Sequence, residues 1–285
     1  MAEVTLSYKT ALSPHIRSSN SLARRHWGQV VAIAPLFVVA CFTGHAEILR
    51  VLLLCLVSAV AFDFLSAKLF QKKENLRNGE TVLVAALFSL LMPSRCPSEV
   101  VIFGVFTSVF VAKEVFGGTG AYLLHPILLA RVFLQLCFPL AMSEPMLVAG
   151  EGSVWTLAAL GMGGVIFLKQ KQGYWETPII FMLTCFVCEA LFGGRETPVA
   201  FFSGVLLTAF FLLADPVTLP LTRKGTAFFV LGAALLSSRL SPEGFSIGRA
   251  SCAILLMNLL TPWLDVWLKP VSYKAKQALK ATYSI

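Results

Sequence analysis

The sequence predicts an all-α polytopic membrane protein, with about ten transmembrane helices in two inverted five-helix halves that contain broken helices. Three observations carry this. Hydrophobic residues make up 57% of the chain and charged residues 13%, about half the charge of a soluble domain, and mean hydropathy is +0.78. Apolar runs recur along the chain at residues 28–46, 48–70, 81–93, 98–116, 121–139, 153–169, 175–193, 197–214, 226–240 and 245–267. Lys and Arg alternate in density between successive connections, as expected when basic loops stay in the cytoplasm.

The elements follow in order. The head is polar and carries Lys9, Arg17, Arg24 and Arg25; it precedes a span rather than a cleavage site, so no secretory signal is read there. The connection after the second run holds Lys68, Lys72, Lys73 and Arg77; later ones on that side hold Lys169, Lys171, Arg223 and Lys224; the tail holds Lys269, Lys274, Lys276 and Lys280. The opposite side has Arg50, Arg95, Arg195, Arg239 and Arg249. Both termini are therefore expected in the cytoplasm and the span number is even. The net charge of +8 is explained by orientation and gives no ground for a nucleic-acid partner. The expected organisation is a cytoplasmic segment over 1–27, membrane repeats over 28–140 and 141–267, and a basic cytoplasmic tail over 268–285.

Helix breaks set the halves apart. The third run ends at Pro93, and the fifth follows Gly117-Gly118-Thr119-Gly120 and closes at Pro139; in the second half one run ends at Asp215-Pro216 and another follows Pro242-Glu243-Gly244 and closes at Pro262. Proline cannot continue a helix, and broken backbone at membrane depth is tolerated where it lines a cavity or is buried in protein. An odd number of spans per half inverts the second, and such folds place sites near the repeat interface.

Several groups are candidates for chemistry. His125-Pro126 starts a helix after the glycine turn of Gly118 and Gly120, where free N–H groups attract an anion, such as a flavin or quinone edge; a plain close-packing break is the alternative. Asp215, Thr218, Thr222 and Arg223 form the densest polar set, suited to an ion path, to a bound flavin or isoprenoid, or to a rigid elbow that docks a soluble subunit. Intramembrane charges are few: Asp63, Lys113, Glu114, Arg131 and Glu189. Such groups are expected to face inward and pair. Arg131 is matched with Glu189 or Glu114, or with a flavin or lipid phosphate; for Lys113 and Glu114 a structural ion pair or snorkelling is preferred. Cys185-Phe-Val-Cys188 places two thiols on one helix face, but a cluster needs four thiolates, so buried inert cysteines are expected. No metal site is read from the sequence.

These residues resemble a known family. Ser13-Pro-His-Ile-Arg17, Asn78-Gly-Glu-Thr81, Val115-Phe-Gly-Gly-Thr-Gly120, Asp215-Pro-Val-Thr218 with Thr222-Arg-Lys-Gly225, and Ala253 to Pro262 followed by Asp265 are similar to motifs of the D-subunit family of the Rnf electron-transport complex. More distantly they are similar to the B subunit of the sodium-pumping NADH:quinone reductase. Where the family has Asn-Pro-Ala, this chain has His125-Pro126-Ile127.

The resemblance implies a multi-pass subunit of a bacterial inner-membrane assembly. That assembly passes electrons between ferredoxin and NAD, both bound by other membrane and peripheral subunits, and couples this to ion movement. It also implies FMN joined by a phosphoester to a threonine that ends a Ser/Thr-Gly-Ala-Thr motif on the outer face. The matching stretch is Ser153-Val154-Trp155-Thr156, with Val-Trp replacing Gly-Ala. Thr156 is the candidate attachment residue, and Trp155 offers a ring to stack on the flavin. Three cofactor states stay open: FMN on Thr156, a non-covalent flavin, or a cofactor-free scaffold subunit of the same complex. A facilitator like the urea or ammonium channels, which also pair inverted five-span halves, is the alternative from another class.

Overall fold

The structure, a computed structural model, describes residues 21–42, 46–71, 78–93, 95–143, 153–170, 175–192, 198–213, 215–239 and 245–268. The Ser13-Pro-His-Ile-Arg17 stretch and the basic tail over 269–285 lie outside the described residues. Every regular element among those described is a helix: α1 (Leu22–Phe42), α2 (Ala46–Leu69), α3 (Glu80–Leu91), α4 (Ser98–Phe106), α5 (Pro126–Cys137), α6 (Pro139–Met142), α7 (Val154–Lys169), α8 (Glu176–Phe192), α9 (Pro198–Leu207), α10 (Arg223–Arg239) and α11 (Ile247–Trp267). Each predicted apolar run overlaps one of the long helices, with ends that differ by up to several residues. α1, α2 and α11 are long and apolar enough to cross a membrane. α3 and α5 have 12 residues each, about 18 Å of rise against a hydrocarbon core of about 30 Å.

Local chemistry sets the ends. α1 starts earlier than its apolar run, because the Ser21 hydroxyl accepts from the Arg24 N–H at 3.3 Å and the polar residues 24–26 join the first turns. Gly79 enters α3 at φ +70°, with the Trp27 ring packed where a side chain would stand. Two helices change pitch. α4 continues as a π-helix over Thr107–Glu114, and α9 over Thr208–Leu212. At each junction a threonine hydroxyl donates to the carbonyl four residues back, Thr107 to Phe103 at 2.9 Å and Thr208 to Gly204 at 2.8 Å. Such back-bonding competes for the carbonyl and loosens the regular ladder. Pro262 does not close its helix as the sequence suggested: α11 carries it inside and runs on to Trp267. The last turn holds because the Thr261 hydroxyl and the Asp265 carboxylate anchor it to the loop after α9.

α1 packs against α3 and α7, α2 against α3 and α4, α5 against α11 and the π-turn of α4, α7 against α9, and α10 against α8 and α11. Phe88, Phe181, Phe229 and Phe245 are wholly buried in the core. Outward faces are the reverse of a soluble protein's: Phe42 is 88% exposed and Leu140 87%, as lipid-facing residues are. The protein is an all-helical membrane protein.

Candidate functional site

Two constellations far apart in sequence meet at one cavity of about 80 Å³. Its wall is built from Arg25, His26 and Gln29 of α1, Glu80 and Leu83 of α3, Thr119, Gly120, Tyr122 and His125 before α5, and Asp215, Pro216 and Val217 after α9. The loop before α5 reaches it because Gly117, Gly118 and Gly120 take φ of 122°, 94° and 83°, which side chains disfavour. The Gly118 N–H closes the π-helix on the Lys113 carbonyl at 3.0 Å. His125 caps α5 from extended backbone; it is 4% exposed and its Nδ1 has no hydrogen-bond partner.

Asp215 opens a short elbow. Its Oδ1 accepts from the Val217 N–H at 3.1 Å, an Asx turn of the kind aspartate favours. The Tyr122 hydroxyl is directed at the Asp215 carboxylate, yet Oδ2 is buried and lacks a hydrogen bond of good geometry. Arg25 and His125 also feel the Asp215 charge. The elbow is fixed from below. The Leu221 N–H donates to Asp265 Oδ1 at 2.8 Å, the Thr261 hydroxyl donates to the Thr218 carbonyl at 3.2 Å, and the Thr226 hydroxyl donates to the Pro220 carbonyl at 3.0 Å. Thr218 is buried next to Val217 of the wall, with its carbonyl held by Thr261. Asp265 and Thr261 thus tie the Asp215–Gly225 and Ala253–Asp265 stretches to each other.

Behind the cavity lies a buried charge network that the sequence showed only in pieces. Lys113 Nζ stands 3.1 Å from Asp63, 3.3 Å from Glu80 and 3.4 Å from Glu114. The Thr81 hydroxyl donates to Asp63 Oδ2 at 2.8 Å, and the Thr119 hydroxyl donates to Glu80 Oε2. Glu80 belongs to both cavity and network. Its sequence signal was its place in the Asn78-Gly-Glu-Thr81 motif, which says nothing of what it faces. Lys113 and Glu114 form the ion pair preferred for them. Arg131 pairs with neither of its expected carboxylates: buried in α5 at 3% exposure, its Nη1 meets the Met142 sulfur at 3.5 Å and its Nε has no partner. Glu114 is drawn instead to Lys113, which shares its π-turn. Cys185 and Cys188 are buried in α8.

The Ser153–Thr156 stretch lies apart from the cavity. The Ser153 hydroxyl caps α7 by accepting from the Trp155 N–H at 3.2 Å; Thr156 is half-buried in the first turn, and Val154 and Trp155 are 71% and 69% exposed. A hydroxyl at the start of a 16-residue helix, with unspent N–H groups and an open indole beside it, suits a phosphoester-linked flavin. The cavity suits something smaller. It is below the roughly 150 Å³ that holds a benzene ring, so an isoalloxazine enters only if its walls part.

The profile of the NQR2, RnfD, RnfE family matches residues 9–149 and 145–274. The chain is 25% identical to the D subunit of the proton-translocating ferredoxin:NAD(+) oxidoreductase complex of Clostridium ljungdahlii, over 97% of this chain and 100% of that one. It is 26% identical to the Na(+)-translocating counterpart of Acetobacterium woodii, over 97% and 99%. It is also 26% identical to the D subunit of the ion-translocating oxidoreductase complex of Methanosarcina acetivorans, over 93% and 96%. With that coverage, and with the motif residues anchoring one another across the fold, the chain belongs to the NQR2, RnfD, RnfE family.

Proposed function

We propose that this chain is a membrane subunit of an ion-translocating ferredoxin:NAD oxidoreductase complex, and that the cavity is its cytoplasmic ion entrance. The observation that carries this is the continuity between the Asp215 cavity and the Lys113 network through Glu80. Polar groups buried at membrane depth are costly and mark ion pathways. The end-to-end likeness to D subunits favours this over a free-standing urea- or ammonium-type facilitator.

Ten spans in two inverted halves complete the reading, with contacts that repeat between halves as support. α1 meets α3 as α7 meets α9; α2 meets α4 as α8 meets α10; α4 with its π-turn meets α5 as α10 meets α11. α1 and α7 pair with each other, as do α5 and α11, as elements beside a pseudo-two-fold axis would. The cavity gathers the helix ends that the Lys and Arg alternation assigns to the cytoplasm, with both termini on that side of a bacterial inner membrane. Ferredoxin and NAD are bound by other subunits.

Glu80→Gln tests the entrance. In the intact assembly in proteoliposomes, ions moved per electron pair fall sharply; an unchanged ratio sinks the assignment.

Electron transfer enters at Thr156 on the outer side. FMN bound there supplies one- and two-electron chemistry. The chain's part is to hold the phosphate at the α7 start and to cover one ring face with Trp155. Run denatured under ultraviolet light, the wild-type chain gives a fluorescent band and Thr156→Ala gives none. A dark wild-type band leaves the chain as a scaffold and ion path.

A further inference from the structure

We propose that the ion taken up at this cavity is the proton, held at Nδ1 of His125; this rests on the entrance assigned above. A bare metal cation needs on the order of six oxygen ligands. The wall offers few. Asp215 Oδ2 and the Tyr122 hydroxyl are turned inward, but Glu80 Oε2 is already engaged by Lys113 and Thr119. Gln29 adds one amide oxygen and the Thr119 hydroxyl is spent on Glu80; the rest of the polar wall is nitrogen, from Arg25, His26 and His125. A cation entering would lie against the Arg25 guanidinium. His125 by contrast is built for a proton. It is buried, its Nδ1 lacks a partner, and it lines a space that holds a handful of waters at the roughly 10–15 Å³ each requires.

A neutral ring carrying hydrogen on Nε2 accepts at Nδ1 a proton delivered as hydronium through the cavity water, which is left as water. The imidazolium is stabilised by Asp215, and return of that proton to a water molecule restores the neutral ring. The charged and titratable groups facing it are Arg25 and His26 from α1, Glu80 from α3, Tyr122 from its own loop and Asp215 from the elbow.

Two measurements on the intact complex test this. Deuterium exchange at the C2–H of His125, which needs only water to enter, is read by mass spectrometry: its rate rises with pH to a plateau as the imidazolium loses its proton, and it is the same in sodium as in choline buffer. Protection by sodium overturns the proposal. In proteoliposomes free of sodium, ferredoxin-driven acidification occurs with wild type, and protons moved per electron pair drop to the protonophore control in His125→Gln. Proton movement retained in both His125→Gln and His125→Asn overturns it as well. Should ferredoxin-dependent NAD reduction be missing from the assembly altogether, the parent reading fails, while the sodium-independent titration of His125 still decides whether this is a proton site.

Discussion

Lys113→Met costs the folded assembly about 3–5 kcal/mol, the penalty of leaving buried charge without its partner. Lys113 is 4% exposed and is the ammonium shared by Asp63, Glu80 and Glu114, whose side chains are 14%, 8% and 8% exposed. Removing it leaves three carboxylates from three helices facing one another where water cannot screen them. α2, α3 and the π-turn of α4 are held together at that point, so the loss is felt as helix separation. Thermal unfolding of the detergent-purified complex, followed by monodisperse recovery, shows the drop. A second substitution separates charge from shape. Adding Glu114→Gln to Lys113→Met removes one repelling carboxylate and recovers part of the lost stability. If the single variant melts with wild type, the network is not what joins these helices.

Gly163→Ala breaks the contact between α1 and α7 and lowers stability by about 1–3 kcal/mol, the range for overpacking a close-fitted site. A methyl there overlaps the backbone carbonyl oxygen of Ala32 in α1 and stands 3.1 Å from the Phe211 ring. A side chain can swing aside, but a helix backbone cannot, so α1 and α7 must part along their length. Small residues that let backbones touch are the usual device of membrane helix pairs. Gly161, two residues earlier, supplies the control: nothing stands within 4 Å of an added methyl, and alanine there gains up to about 1 kcal/mol of helix propensity. Equal melting of the two variants would sink the close-contact account of α1 and α7. Because Phe211 also lines the cavity, Gly163→Ala is expected to disturb ion movement along with stability.

The sequence marked the helices well because membrane helices announce themselves by length and apolarity. Its misreadings fall where local chemistry overrules that signal. α1 reaches back through Arg24, Arg25 and His26, where the Ser21 hydroxyl caps it, whereas the start of α5 at His125-Pro126 was legible from the glycine turn before it. Pro262 rides inside α11 because Thr261 and Asp265 pin that helix's end elsewhere. Most candidate residues are legible along the chain, but their grouping is not. His125 and Asp215 read as separate sites, and the carboxylates offered to Arg131, Glu189 and Glu114, do not meet it.

Composition, hydropathy and the placement of basic residues determined by themselves that this chain lives in a bilayer as a helical bundle, because those properties are sums over residues and need no partner. Which polar groups share a cavity was decided only by the tertiary structure. Asp63, Glu80 and Lys113, like His125 and Asp215, are separated by whole helices, and nothing along the chain records which helix ends will close on one another. That record lies in packing: a glycine against a carbonyl, a threonine that loosens one turn, and an aspartate that ties an elbow to a distant helix.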